Sequence, residues 1–241
     1  MTGFSNDYGE LYLIPTTLGD NEPLVVLPIS IKRAIEDIDH YIVEHEKSAR
    51  RFIKKVSPRK SQPGLHIEQL NKFTEAEQIQ SFLDPCLEGY PVGILSEAGC
   101  PGIADPGAEV VRIAHEKNIR VIPLVGPSSI ILGLMASGLN GQNFAFNGYL
   151  PIESADRKSA IKQFERISKE RQQTQIFIET PYRNDKLLAE LLRVLGKHTQ
   201  LCVAADLTLD SEFVLTRSIT EWKSMNLPEL HKRPAIFIFQ A

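Results

Sequence analysis

Residues Ser96 to Gly107 read SEAGCPGIADPG, with Gly99, Gly102 and Gly107 set between Pro101 and Pro106. Glycines at this density strip side chains from a loop and permit unusual backbone dihedrals, so a ligand can lie directly against the main chain. A stiff tight turn makes the same use of Gly and Pro. The loop follows the apolar run PVGIL and precedes the helical pattern EVVRIAHEK. That places it at the carboxyl edge of a sheet, where open α/β sheets bind ligands. It contains neither GxxxxGK[ST] nor GxGxxG, and Glu109 opens the following helix with a negative charge, so a ligand without phosphates fits it better.

Other chemistry-bearing residues are sparser. Glu97, Asp105 and Glu179 are the carboxylates nearest the expected site, open to reading as a general base or as capping and paired groups. Arg183 either faces a substrate or pairs with Glu179 four residues earlier. Lys47, Arg50, Arg51, Lys54, Lys55, Arg59 and Lys60 form a cationic run, and Ala49, Phe52, Ile53 and Val56 recur within it at helical spacing. The run reads as an amphipathic helix whose outer face is either plain solvated surface or a phosphate contact. The six histidines lack HExxH spacing, and Cys86, Cys100 and Cys202 are scattered, which argues against a metal site or a disulfide framework and favours a reducing, cytoplasmic setting. GPSS holds serines outside any GxSxG elbow, and Ser128 reads as a helix cap.

The elements that must position these residues follow from periodicity. The 241 residues, 42% of them hydrophobic with a net charge of −3, suffice for two compact α/β domains. Strands are expected at LYLIPT from Leu11, HYIVE from His40, LHIEQL from Leu65, VGILS from Val92 and RVIPLV from Arg120, with helices over 29–38, 47–56, 75–87 and 108–117. This predicts a mainly parallel N-terminal domain over residues 1–124. In residues 125–241, the runs LCVAAD, EFVLTRSI and AIFIFQ lie too close together for helical crossovers, so the C-terminal sheet is expected to be mixed. No apolar run reaches membrane-spanning length, and MTGFSNDYGE lacks the features of a secretory leader.

SEAGCPGIADPG, then RVIPLVGPSS, FNGYLP and FIETPYR, in that order, resemble the tetrapyrrole methylase superfamily, and within it the branch of small-subunit ribosomal RNA methyltransferases. The resemblance runs from Leu11 almost to the end. It implies two α/β domains with S-adenosylmethionine held in the cleft between them, usually in a homodimer, without a metal and without the Rossmann-type methyltransferase fold. It places cofactor contacts on Pro15, Gly99, Cys100, Pro101, Ile103, Ala104, Asp105, Ser128, Ser129, Tyr182, Leu207, Pro234 and Ala235. It makes Glu97 and Glu179 the catalytic candidates and Lys47, Arg50, Arg51, Lys54, Lys55 and Arg183 the candidates for RNA contact, with a ribose 2′-hydroxyl of ribosomal RNA as acceptor.

Two blocks depart from the branch: VEHEK stands where an AEDTR-like stretch is expected, and PTTLGDNEP where TPIGNLGD-like residues are expected. Methylation of a small molecule such as a tetrapyrrole, or a binding module that holds S-adenosylmethionine without catalysis, therefore stand as alternatives. The reading of the loop as a ligand cradle predicts that Gly99→Val or Ala104→Trp abolishes cofactor binding while leaving the fold largely intact.

Overall fold

The computed structural model describes residues 7–71 and 73–241, and the opening residues 1–6, part of the stretch read for a leader, lie outside it. The chain divides into two compact units, one ending at Ser128 and the other running Ser129–Ala241. No helix of the described residues is long and apolar enough to cross a membrane.

The first unit is built in the order β1 (Leu11–Ile14), α1 (Pro23–Val26), α2 (Ile29–Asp37), β2 (His40–Val43), α3 (Glu46–Val56), β3 (His66–Gln69), α4 (Ala76–Ser81), α5 (Asp84–Leu87), β4 (Val92–Leu95), α6 (Gly107–Glu116) and β5 (Val121–Pro123). The strands pair in the order β3-β2-β4-β1-β5, and every pairing is parallel. Alternation along the strands explains the two layers. Leu11, Ile42, Val92 and Ile94 point into a core closed by Phe82, Leu83, Val110 and Ile113 from the α4–α6 side. Ile14, Tyr41, Val43 and Leu95 point the other way, onto Ile31, Ile35, Ile53 and Val56 of α2 and α3. The single helix expected over 75–87 is two short ones, because Pro85 has no N–H to donate and opens a new turn at the start of α5. The four-residue α1, with Pro23 in its first turn, has no counterpart in the sequence expectation.

The second unit comprises α7 (Ser129–Ser137), β6 (Phe144–Tyr149), α8 (Ser154–Arg171), β7 (Thr174–Ile178), α9 (Asn184–Val194), β8 (Gln200–Ala205), β9 (Phe213–Ser218), α10 (Ile219–Lys223) and β10 (Ala235–Gln240). Its sheet order is β6-β7-β10-β8-β9, parallel between β6 and β7 and antiparallel elsewhere, the mixed sheet the closely spaced runs predicted. One face buries Phe177, Val203, Phe237 and Phe239 against α8, α9 and Trp222 of α10, whose indole N–H donates to the Leu201 carbonyl at 2.8 Å.

Helix α8 is locked onto α9 by a buried ion pair. Arg157 and Glu190 are 7% and 4% exposed, and Arg157 also donates to the Pro151 carbonyl at 3.1 Å. Burial alone would raise the Glu190 carboxyl, but its hydrogen bond and charge pairing with Arg157 hold it below the usual carboxylate range. Removing one partner strands the other in a low-dielectric interior. Glu190→Ala is expected to cost about 3–5 kcal/mol in urea unfolding, and replacing both partners with apolar residues less.

Candidate functional site

Three strand ends converge at the carboxyl edge of the first sheet. Pro15 and Thr16 continue β1, Ser96 to Cys100 continue β4, and Gly126 and Pro127 follow β5. The Gly99 carbonyl accepts from the Thr16 N–H at 2.9 Å and from the Ser96 hydroxyl at 2.8 Å, while Thr16 Oγ1 donates to the Ser96 carbonyl at 3.2 Å. The Cys100 thiol, raised by burial, points at the Pro127 carbonyl 3.4 Å away. A Cβ on Gly126 would fall 2.2 Å from Pro15 Cβ, so only glycine lets the β5 end pass that close to the β1 end.

The rest of the loop is shaped by Asp105. One carboxylate oxygen accepts the N–H groups of Gly102 and Gly107, each at 2.8 Å, which closes residues 102–107 into a ring at the start of α6. Burial raises the Asp105 carboxyl and these two N–H groups oppose the rise. Ile103 and Ala104, on the crest, are exposed, and Ala104 holds a left-handed φ of 61°. The crest of the loop thus presents main chain, the small Ala104 and the exposed Ile103, and residues 96–107 hold no cation.

Beside the loop lies a cavity of about 190 Å³, bounded by Thr16, Thr17 and Asp20 after β1, Ser48, Arg51 and Lys55 of α3, and Ser96 and Glu97 after β4. Glu97 sits on its rim, accepting from Ser48 Oγ at 2.7 Å, with His45 Nδ1 at 3.5 Å. Behind it, Glu44 is half-buried; burial raises its carboxyl, the Glu97 N–H opposes this, and Asp105 and Glu97 add to it. Ser48 is a residue that the sequence does not mark. Glu44 is the acid that VEHEK keeps from the AEDTR-like block, and that match is its signal in the sequence.

The cations of α3 are less free than their sequence suggests. Arg50 donates to Glu46 at 2.7 Å and to the Gln62 carbonyl at 2.6 Å, Lys54 to the Pro58 carbonyl at 2.6 Å, and Lys55 to Asp20 at 3.1 Å. Arg51 lines the cavity and Lys47 is exposed.

In the second unit, Ala235 pairs with Ala205 and the Asp206 N–H donates to the Pro234 carbonyl at 2.9 Å, which brings Leu207, Pro234 and Ala235 together at one end of β8 and β10. Tyr182 joins that end: the Lys232 N–H donates to the Pro181 carbonyl, and the Tyr182 ring is 71% exposed and packs edge-on to His231. Ser129 begins α7, with Ser128 just before it. Glu179 and Arg183 form an ion pair at 2.6 Å, and Glu179 also accepts its neighbour Thr180's N–H, so Glu179 is the partner of Arg183 rather than a free base. Among the described residues no group of His, Cys, Asp and Glu is arranged to hold a metal ion.

The family model of Tetrapyrrole (Corrin/Porphyrin) Methylases matches residues 10–222. The chain belongs to that family. Members use S-adenosylmethionine as methyl donor, and this chain is an S-adenosylmethionine-dependent methyltransferase. It is 28% identical over 211 residues to Ribosomal RNA small subunit methyltransferase I of Vibrio cholerae, covering 88% of this chain and 69% of that one. To the proteins of the same name from Halalkalibacterium halodurans and Escherichia coli O157:H7 it is 30% identical, covering 82% and 84% of this chain and 64% and 67% of theirs. The chain thus spans about two thirds of the length of these relatives. Among solved structures, uroporphyrin-III-C-methyltransferase from Thermus thermophilus aligns with a TM-score of 0.54 at 19% identity, over 96% of this chain and 92% of that one. The methyltransferase CobJ aligns with a TM-score of 0.63 at 14% identity, over 96% and 94%, and at such identities the likeness concerns the fold.

Two outcomes test this geometry. Gly99 has a φ of 79°, and a Cβ there would lie 3.1 Å from Leu18 Cδ2 and 3.2 Å from the Pro127 carbonyl. Gly99→Val therefore strains the protein itself, a cost that adds to the expected loss of cofactor binding. The left-handed conformation alone costs a non-glycine residue about 1–2 kcal/mol, and the melting temperature is expected to fall even without cofactor. Glu44, with its carboxyl raised, favours the protonated native state, a contribution present at low pH and lost as pH rises through the raised value. Glu44→Gln is expected to raise the melting temperature at neutral pH, with the gain vanishing below pH ~4, where an ordinary carboxyl also protonates.

Proposed function

We propose that the protein methylates small-subunit ribosomal RNA, at a ribose 2′-hydroxyl, from S-adenosylmethionine held against the 99–105 loop. The observation that carries the RNA substrate is the match to relatives named for that substrate over 82–88% of this chain. Two of its exposed or cavity-lining cations, Lys47 and Arg51, are on the helix that borders the cavity. Such work is done where ribosomes are, in the cytoplasm.

S-adenosylmethionine supplies an electrophilic methyl group on a sulfonium, and its positive charge is lost as the methyl moves to the acceptor oxygen. Carbonyl dipoles and exact alignment serve such an in-line displacement better than acids or metals do. The main chain of Gly99 to Asp105 provides the wall, and its bonds to Thr16, Ser96 and Pro127 fix that wall before ligand arrives. Glu97, held by Ser48 at the cavity rim, takes the proton that the acceptor hydroxyl gives up. In the second unit, Tyr182, Leu207, Pro234 and Ala235 share one sheet end, and each is a proposed cofactor contact. Arg183 contributes by fixing Glu179 at the end of β7.

The test is incubation of small ribosomal subunits from a strain deleted for this protein with methyl-labelled S-adenosylmethionine, followed by mass-spectrometric mapping of the RNA. One ribose-methylated nucleotide absent from the deletion strain and restored by the protein is expected. Ala104→Trp, which places an indole on the exposed crest of the loop, is expected to remove calorimetric binding of S-adenosylmethionine and the label with it. Label on a small molecule with the RNA map unchanged would refute the RNA substrate, and unaltered cofactor binding by Ala104→Trp would refute the loop's assignment.

A further inference from the structure

The second unit carries cations that methyl transfer does not use. Lys162, Arg166 and Lys169 stand at i, i+4 and i+7 of α8 and so share one face. Lys197 and His198 project from the turn between α9 and β8, and all five side chains border an open concavity of about 640 Å³.

The one acidic side chain among them, Glu165, is engaged internally. Its carboxylate accepts the Gly196 N–H at 2.6 Å and the Thr199 hydroxyl, which pins the turn carrying Lys197 and His198 against α8. The Lys197 carbonyl accepts from the backbone and hydroxyl of Thr220, fixing the turn from the other side. Both supports of the basic groups are therefore built into the fold. Among the described residues Lys162, Lys169 and Lys197 make no ion pair, and Arg166 lies 3.9 Å from the exposed Glu170, a separation at which an exposed pair contributes little. On α3, by contrast, Arg50, Lys54 and Lys55 are bonded to the protein's own oxygens.

We infer that this face of the second unit binds the phosphodiester backbone of the RNA substrate, as a contact additional to α3. The inference rests on the RNA-substrate reading above. Seven residues of helix carry Lys162 to Lys169 about 10 Å along the axis, enough to meet more than one phosphate of a strand. Lys162, Arg166, Lys169 and Lys197 are exposed, and Glu165 in the same lining is turned to the turn it holds, so the contact grips phosphates and positions RNA without reading its sequence.

The experiment measures binding of a mixed-sequence single-stranded RNA by fluorescence anisotropy from ~50 to ~200 mM salt. It compares the wild type, the triple variant Lys162→Gln/Lys169→Gln/Lys197→Gln and the triple Lys→Arg variant at the same positions. The glutamine variant is expected to lose about 2 units from the slope of log K against log salt, roughly 0.7 for each phosphate contact. It should raise the KM for ribosomal RNA and keep its affinity for S-adenosylmethionine, while the arginine variant keeps the wild-type slope. An unchanged slope and KM in the glutamine variant, with wild-type methylation of the RNA intact, overturns the surface and leaves the substrate reading standing. A wild-type protein that neither binds RNA nor labels it overturns the substrate reading and this surface together. Binding of polyglutamate that the glutamine variant loses, with RNA binding unchanged, would assign the face to an acidic protein and also overturn the inference.

Discussion

The first unit depends on a close approach of backbone to backbone. Gly126 lies so near Pro15 that a single added carbon would sit 2.2 Å from the proline ring, and the Gly99 carbonyl is bonded at once to the chain after β1 and to Ser96. Three parallel strands are thereby tied together at their carboxyl ends, where each would otherwise release a separate loop. A loop tied this way is held in shape by the protein's own bonds. The same rigidity explains why Asp105 belongs to the architecture: its carboxylate closes the far side of the loop that Thr16 and Ser96 close on the near side.

With the loop fixed by its own bonds, the candidate carboxylates of each unit separate by environment. Asp105 is occupied by two N–H groups, and Glu179 in the second unit by an arginine and an N–H. Glu97 is bonded to a serine at the edge of a cavity, and Glu44 is half-buried with other carboxylates as its neighbours. A buried acid held above its ordinary range opposes folding at neutral pH, and such groups gather at working sites. Glu44 is such a group, and the ends of neighbouring strands β2 and β4 bring it beside Glu97.

The strands were legible because their period and length left little choice: VGIL is buried throughout, and the crowded runs after residue 200 could pair only as antiparallel neighbours. The glycine loop was legible as a loop at the carboxyl edge of the sheet, whereas the identity of what crowds Gly99 was not, since Leu18 and Pro127 are remote in sequence. Arg183 and Glu179, four residues apart in the turn between β7 and α9, offered two readings that only the three-dimensional path separates. The charge run of α3 was legible as a run, but not how its members divide. Arg50, Lys54 and Lys55 are bonded to Glu46, to the carbonyls of Gln62 and Pro58 and to Asp20, while Lys47 is exposed and Arg51 lines the cavity.

A fold shared with methylases of small cyclic molecules says little about acceptor size, because function resides in sites placed on a scaffold. What differs between such acceptors is how much surface must be held. A tetrapyrrole can be enclosed by the cavity wall, whereas an RNA extends beyond any cavity and must be gripped through its phosphates. A chain of net charge −3 can grip RNA only where its cations are gathered and its acids withdrawn. On α8 the acid that would neutralise the face is turned inward to hold the neighbouring turn, so one interaction both builds the concavity and leaves its rim positive.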